Sequence, residues 1–374
     1  MSTIKIPIAV PAIGSKELVK VKEAVESGWV SSKGKFIEEF EQRFADFCGA
    51  KYGIATSNGT AALHLALSAL GIGKGDEVII PTFTFVATAN TVRYTGAKPV
   101  FVDSTKDCWC INPLLIEEKI TSRTKAIIPV HLYGHPSDMD PILKIARKHH
   151  LYVIEDAAEA HGAEYKGIRV GSLGTIGCFS FYGNKIITTG EGGMCVTNNK
   201  RLAQKMMILR DHGMNPKKRY WYDVIGFNYR MTNLQAALGV AQLERINDFI
   251  KKKRQIASWY KDGLHNLAQK GSITVHPELA WAKCVYWMYS ILIERNFGKT
   301  RNQIITILER KGIETRPFFY PIHTLPPYRK FANNNYPVAE DIAKRGINLP
   351  SAVSLIEKDI NQITLVIRKM YKYE

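Results

Sequence analysis

The chain has 374 residues, 45% of them hydrophobic, which is enough to bury a large core and excludes a disordered polypeptide. No apolar run approaches the roughly 20 residues that span a bilayer, and no basic segment followed by an apolar one opens the chain, so a cytoplasmic protein is expected. The formal net charge of +17 admits a nucleic-acid partner, a phosphorylated substrate or a lysine-rich surface; the lysines are spread out and no arginine-rich arm stands apart, which favours the last two.

From about residue 50 to 200, short apolar runs alternate with helical patterns, the signature of βαβ units and a mainly parallel sheet. The expected strands are Tyr52–Thr56, Glu77–Ile80, Pro99–Val102, Ala126–Val130, Leu151–Glu155 and Ile176–Phe181, with their carboxyl ends lining one crevice. A helix is expected from Ala61 to Leu70. Residues Thr232 to Ala257 read as one long helix, with Leu234, Leu238, Ala241, Leu243 and Ile246 near helical spacing and no proline. Within it, Lys251-Lys252-Lys253-Arg254 should form a solvated face. Ile273–Val275 and Val285–Ile293 read as strands, Arg301–Lys311 as a helix closed by Gly312, and a last helix begins near Ile356. The expectation is a large α/β domain over residues 1–250 and a smaller C-terminal α+β domain over 251–374, with the N-terminal segment free to pack on the latter. Asn333-Asn334-Asn335 reads as a surface loop. The six cysteines (Cys48, Cys108, Cys110, Cys178, Cys195, Cys284) have neither a CxxC pair nor zinc-site spacing with histidine. Reduced thiols and no metal are expected, with Cys108-Trp109-Cys110 incidental.

Three sites carry chemistry. Ser57-Asn58-Gly59-Thr60-Ala61 leaves a strand and opens a helix, where free amides bind phosphate and a glycine permits close approach; taken alone, an ordinary helix cap by Ser57, Asn58 or Thr60 explains it better. Ile154-Glu155-Asp156-Ala157-Ala158-Glu159 ends a buried strand in carboxylates. Such an Asp could bind metal, cap a helix or pair with a protonated ring nitrogen; metal is the poorest of these, and nearby His161 reads as a structural hydrogen-bonder. Phe179-Ser180-Phe181-Tyr182-Gly183-Asn184-Lys185, followed by Thr188-Thr189-Gly190-Glu191-Gly192-Gly193, places a lysine in a loop whose flanks are not those of a surface charge. A desolvated lysine forms an imine with an aldehyde, and pyridoxal phosphate then acts as an electron sink. Together the Gly59, Thr60 and Ala61 amides with the Ser180 hydroxyl would hold the phosphate, Asp156 would keep the ring nitrogen protonated, and Lys185 would carry the cofactor. Phe85 either stacks on the ring or is a core aromatic, and spacing leaves both open.

These segments, with Ser27-Gly28-Trp29-Val30-Ser31-Ser32, Pro81-Thr82-Phe83-Thr84-Phe85 and Gly226-Phe227-Asn228-Tyr229-Arg230, resemble the DegT-type nucleotide-sugar aminotransferases, a branch of the fold-type I pyridoxal-phosphate enzymes, across nearly the whole chain. The resemblance implies a mainly parallel seven-stranded sheet in the large domain and pyridoxal 5'-phosphate as cofactor, passing through pyridoxamine phosphate. It implies transfer of the amino group of L-glutamate to C4 of a nucleotide-linked 4-keto-6-deoxyhexose. It further implies a homodimer with shared active sites, in which Asn228 reaches the phosphate held by the other subunit. Trp29, Ser31, Lys33, Arg219, Arg230, Arg316 and His323 would lie near the sugar nucleotide. Many relatives carry Gln at the position of Glu159, opposite the cofactor's phenolic oxygen; a carboxylate there needs a proton or a compensating charge.

Within that family, Arg219-Tyr220-Trp221, Arg316-Pro317-Phe318-Phe319-Tyr320-Pro321 with His323, and Gly346-Ile347-Asn348-Leu349-Pro350 resemble most the members that act on GDP-4-keto-6-deoxymannose, which the resemblance implies as substrate. UDP- or dTDP-4-keto-6-deoxyglucose is the alternative. Dehydrating relatives replace the lysine with histidine, which Lys185 opposes. A catalytically silent cofactor-binding regulator is opposed by the intact Asp156, Ser180 and Lys185 set. Neither nucleic acid nor membrane is expected as a partner.

Overall fold

The computed structural model describes residues 5–332 and 335–371, so Asn333 and Asn334 of the expected surface loop lie outside the described residues. The main sheet has seven strands: β1 Tyr52–Thr56, β2 Glu77–Pro81, β3 Lys98–Val102, β4 Thr124–Ile127, β5 Tyr152–Asp156, β6 Ile176–Ser180 and β7 Gly193–Thr197. They run in the order β1-β7-β6-β5-β4-β2-β3. All neighbouring pairs are parallel except those of β7, which is antiparallel to both β1 and β6. Segment 181–192 is too short for a crossover helix, so the chain can only turn back. That reversal holds Lys185 at the carboxyl edge of the sheet, and β7 itself was absent from the expected strands. Its glycine start is required by packing, since a Cβ on Gly193 would lie 2.4 Å from the Asn58 carbonyl oxygen.

Helix Lys35–Cys48 buries Phe36, Ile37, Phe40, Phe44 and Ala45 at helical spacing and ends at Gly49, whose φ of 76° suits glycine. Helix Gly59–Ala69 is buried on nearly all sides, as its Ala- and Leu-rich sequence allows. The expected long helix is two helices, Asn233–Leu243 and Ile246–Gln269. The break falls where Gln242 and Arg245 both turn to Glu17 Oε1 at 2.8 Å and to the Ala12 carbonyl. No proline or glycine marks it, so periodicity runs straight through.

A second, antiparallel sheet has the order Ile273–Val275, Tyr289–Ile293, Gly346–Leu349, Arg316–Pro317. The expected strand Val285–Ile293 pairs only from Tyr289, because Tyr286 adopts a φ of 48° that no ladder accepts. Helix Ile246–Gln269 links two cores: Ile246, Phe249 and Ile250 join the larger, and Ile256, Tyr260, Leu264 and Leu267 the smaller. Ile6 pairs with Ile313 and joins the smaller core, whereas Phe318, Ile322, Ala339 and Ile342 return to the larger. The Lys251–Arg254 cluster is not one solvated face. Lys253 is buried, and Arg254 pairs with Glu278, because this stretch of helix passes under residues 278–287.

Candidate active site

A cavity of about 670 Å³ opens at the carboxyl ends of the central strands, the usual size and place for a ligand site in an open α/β sheet. It is lined by Gly59, Thr60, Ala61, Phe85, Asp156, Glu159, Ser180, Lys185 and Arg316. Helix Gly59–Ala69 points its N-terminus there. Asn58 caps it, with Oδ1 accepting from the Ala61 amide at 2.8 Å, so the cap that sequence offered as an alternative is present. The Asn58 carbonyl takes the Ala62 amide, leaving those of Gly59 and Thr60 for a ligand and Ala61 as a lining residue only. A Cβ on Gly59 would stand 2.7 Å from Ser180 Cβ, so the glycine lets the helix start close over β6. Gly59→Ala is expected to weaken cofactor affinity about tenfold, the scale of an overpacking strain of about 1–3 kcal/mol. Absorbance titration of the apoenzyme measures this, and wild-type affinity in the variant would contradict it.

Asp156 ends β5 at the cavity floor. Its Oδ2 accepts from the Thr88 hydroxyl at 2.7 Å and its Oδ1 from the Ala158 amide at 3.3 Å. Burial raises its pKa above the usual range, and those two donors and the Lys185 charge oppose the rise. A group that brings its own positive charge is therefore favoured beside it. Glu155, one residue earlier, faces away: it accepts from His131 Nε2 at 3.0 Å and from the Gly171 and Gly174 amides, a structural role.

Lys185 Nζ lies 3.9 Å from Glu159 Oε1 and 3.9 Å from the centre of the Trp287 ring. Burial lowers its pKa, with Glu159 and Asp156 acting the other way. Glu159 is pushed up to about 7 by burial, against Lys185 and the Tyr133 amide, which donates to Oε2 at 2.8 Å. The compensation a carboxylate needs here is thus built in. Asn184 Oδ1 also lines this region, buried and without a hydrogen-bond partner among the described residues. Phe85 is 54% exposed on the cavity wall, which decides against a core role; Phe83 is the core aromatic.

The other expected substrate residues stand outside this cavity. Trp29 and Lys33 line a second one of about 520 Å³, beside the loop that Asn233 ties down through the Ser31 and Trp29 carbonyls. Asn228 is exposed and accepts from Arg230, which pairs with Asp211. Arg219 is exposed over Tyr220. His323 is buried, its Nδ1 2.6 Å from Thr82 Oγ1 and its Nε2 3.1 Å from Glu340, so both ring nitrogens are engaged away from the cavity.

One expectation changes. Neither ring nitrogen of His161 reaches good hydrogen-bond geometry with a described residue, the Ser180 backbone being its one weak neighbour; the ring packs among Phe44, Phe179 and Phe181, and burial, helped by the Lys185 charge, pushes its pKa down to about 3. Cys108 and Cys110 meet His135, with ligand atoms within 4.8 Å of one another. However, His135 Nδ1 donates to the Pro136 carbonyl and Nε2 accepts from the Leu279 amide, which uses the lone pair a metal would need. Trp287, Asn184, Thr88 and the Tyr133 amide are site residues that sequence reasoning did not single out. Trp287 was hidden in an apparent strand, and the others act through contacts invisible to local pattern.

These residues fit a phosphate-bearing aromatic aldehyde with a basic ring nitrogen: amides and a hydroxyl at one end, a buried carboxylate at the other, a desolvated amine between. Fold and site define a pyridoxal-phosphate aminotransferase of the α/β type. The chain belongs to the DegT/DnrJ/EryC1/StrS aminotransferase family, which it matches over residues 11–368. It is 49% identical over 360 residues, 96% of each chain, to GDP-perosamine synthase of Caulobacter vibrioides. It is likewise 49% identical over 366 residues, 98% of each chain, to GDP-perosamine synthase of Escherichia coli O157:H7. The solved aminotransferase of Psychrobacter cryohalolentis superposes with a TM-score of 0.91 at 35% identity, covering 97% of this chain and 98% of that one. Among the described residues, no helix is long and apolar enough to cross a membrane.

Proposed function

We propose that this enzyme moves the amino group of L-glutamate to C4 of GDP-4-keto-6-deoxymannose, giving GDP-perosamine for glycan assembly. The observation that carries the reading is the single cavity joining Lys185, Asp156, Glu159, Ser180 and the Gly59–Thr60 amides; the two relatives of that name support the choice of sugar.

In this reading the Gly59 and Thr60 amides and the Ser180 hydroxyl grip the cofactor phosphate. Asp156 would hold the ring nitrogen, Phe85 the ring face, and Glu159 the phenolic oxygen. Bound pyridoxal phosphate supplies an aldehyde that takes up the amino group and a protonated ring that draws in the electrons left by a departing α-proton. Lys185 Nζ, kept low in pKa by burial, would take the proton from the donor's Cα and pass it to the carbon that the cofactor's aldehyde supplies, and in the second half would carry a proton from that carbon to C4 of the sugar. Glu159 and the Trp287 ring limit where that amine moves. Arg316, on the cavity wall, meets the substrate's anionic groups.

We infer a cytoplasmic homodimer with shared sites, each chain divided into residues 1–250 and 251–374. Asn228, Arg219, Arg230, Trp29, Ser31 and Lys33 do not line their own chain's cavity, and Tyr220, Trp221, Tyr222 and the 93% exposed Ile225 offer apolar surface beside them. The reading gives Asn228 the other subunit's phosphate and the remaining five the neighbourhood of the sugar nucleotide, and leaves His323, held by Thr82 and Glu340, a structural role.

Incubation with glutamate and GDP-, UDP- or dTDP-linked 4-keto-6-deoxysugars tests the substrate. Turnover of the GDP sugar is expected to exceed the others by about a hundredfold in kcat/KM, the scale on which a binding pocket separates close analogues. Equal turnover of all three would remove the basis for the GDP assignment.

A further inference from the structure

Lys253, on helix Ile246–Gln269, is only 4% exposed. Burial pushes its amine down to about 7. A buried amine costs stability that a methionine of similar size would not. What it gains is one contact: Nζ donates to the Trp287 carbonyl at 2.9 Å, and Ser351 Oγ donates to the same oxygen at 3.2 Å. Trp287 is thereby held from the side of the C-terminal segment. Its other end is held by the loop of the reacting lysine, for indole Nε1 donates to the Asn184 carbonyl at 2.7 Å. Between these anchors the ring face stands 3.9 Å from Lys185 Nζ.

We propose that Lys253 is a positioning residue for the reacting amine: by fixing the Trp287 carbonyl it keeps the indole over Lys185 Nζ. The inference rests on the reading of Lys185 as that amine. An indole face attracts an ammonium more than a neutral amine, and it shields one side of Nζ from water. Lys185 therefore holds its proton more tightly than burial beside Glu159 and Asp156 alone would allow, and swings within a narrower arc. A residue serving only to fill space would need no donor aimed at this carbonyl.

Lys253→Met, Trp287→Leu and the double variant, compared as holoenzymes, test the proposal. In Lys253→Met, kcat is expected to fall about tenfold, with KM for both substrates changed by less than about twofold. The acidic limb of its kcat–pH profile is expected to move down by about half a pH unit, because Nζ loses the indole face. In the Trp287→Leu background, Lys253→Met should add nothing to either change. Ser351→Ala should shift the profile the same way by less, and decides the matter if Lys253→Met does not fold. A wild-type profile in Lys253→Met, or effects fully additive with Trp287→Leu, would overturn the proposal. Borohydride reduction of wild-type holoenzyme separates the two layers. No label on Lys185 removes the underlying reading, whereas a labelled Lys185 with unmoved profiles removes only the role of Lys253.

Discussion

Lys185→Ala is expected to lower turnover by roughly five orders of magnitude and to leave any bound cofactor removable by dialysis, since one side chain supplies both the covalent anchor and the proton carrier. The geometry explains why nothing nearby replaces it. Glu159, 3.9 Å away, is a carboxyl and forms no imine. Lys253 is spent on the Trp287 carbonyl. Asp156 is engaged by Thr88 and Ala158. Single-turnover assays with glutamate, read at the cofactor's absorbance bands, measure the loss. Activity within tenfold of wild type would mean that another amine does the work.

Asp156→Asn is expected to retain cofactor at Lys185 while kcat falls about a thousandfold, the scale of removing one preorganised charge from a water-poor site. Asparagine fits the same space and keeps an oxygen for the Thr88 hydroxyl. What it lacks is the charge that keeps a ring nitrogen protonated, so the α-proton becomes harder to remove although binding persists. Burial already raises the Asp156 pKa, so the carboxylate form depends on its two donors, on Lys185 and on a cationic partner. Thr88→Val should therefore act in the same direction as Asp156→Asn and more weakly. A kcat unchanged in Asp156→Asn would show that this carboxylate does not serve the ring.

The parts of the site read from sequence are those whose chemistry sits at the end of a strand. β5 and β6 announce themselves as apolar runs, and Asp156, Ser180 and Lys185 follow at once, so local pattern suffices. β7 escaped because Gly193, its first residue, reads as part of the glycine-rich loop, although the nearby Asn58 carbonyl requires a glycine there. The break at Glu244–Arg245 escaped for a related reason: its cause, Glu17, lies far away in sequence. Lys253 read as surface because it sits in a run of four basic residues, and only the packing of residues 278–287 over the helix buries it. The identity of a lining residue was thus legible where one strand end fixed it. Roles depending on two distant segments meeting, as for Trp287 and Lys253, were not.

Borohydride reduction of the purified holoenzyme, followed by peptide mapping, tests the central assignment most directly. Reduction is expected to fix the cofactor to the peptide containing Lys185, with fragmentation placing the added mass on that residue and the visible absorbance lost in step. Modification of a different lysine, or none in an enzyme that still transaminates, would contradict the account.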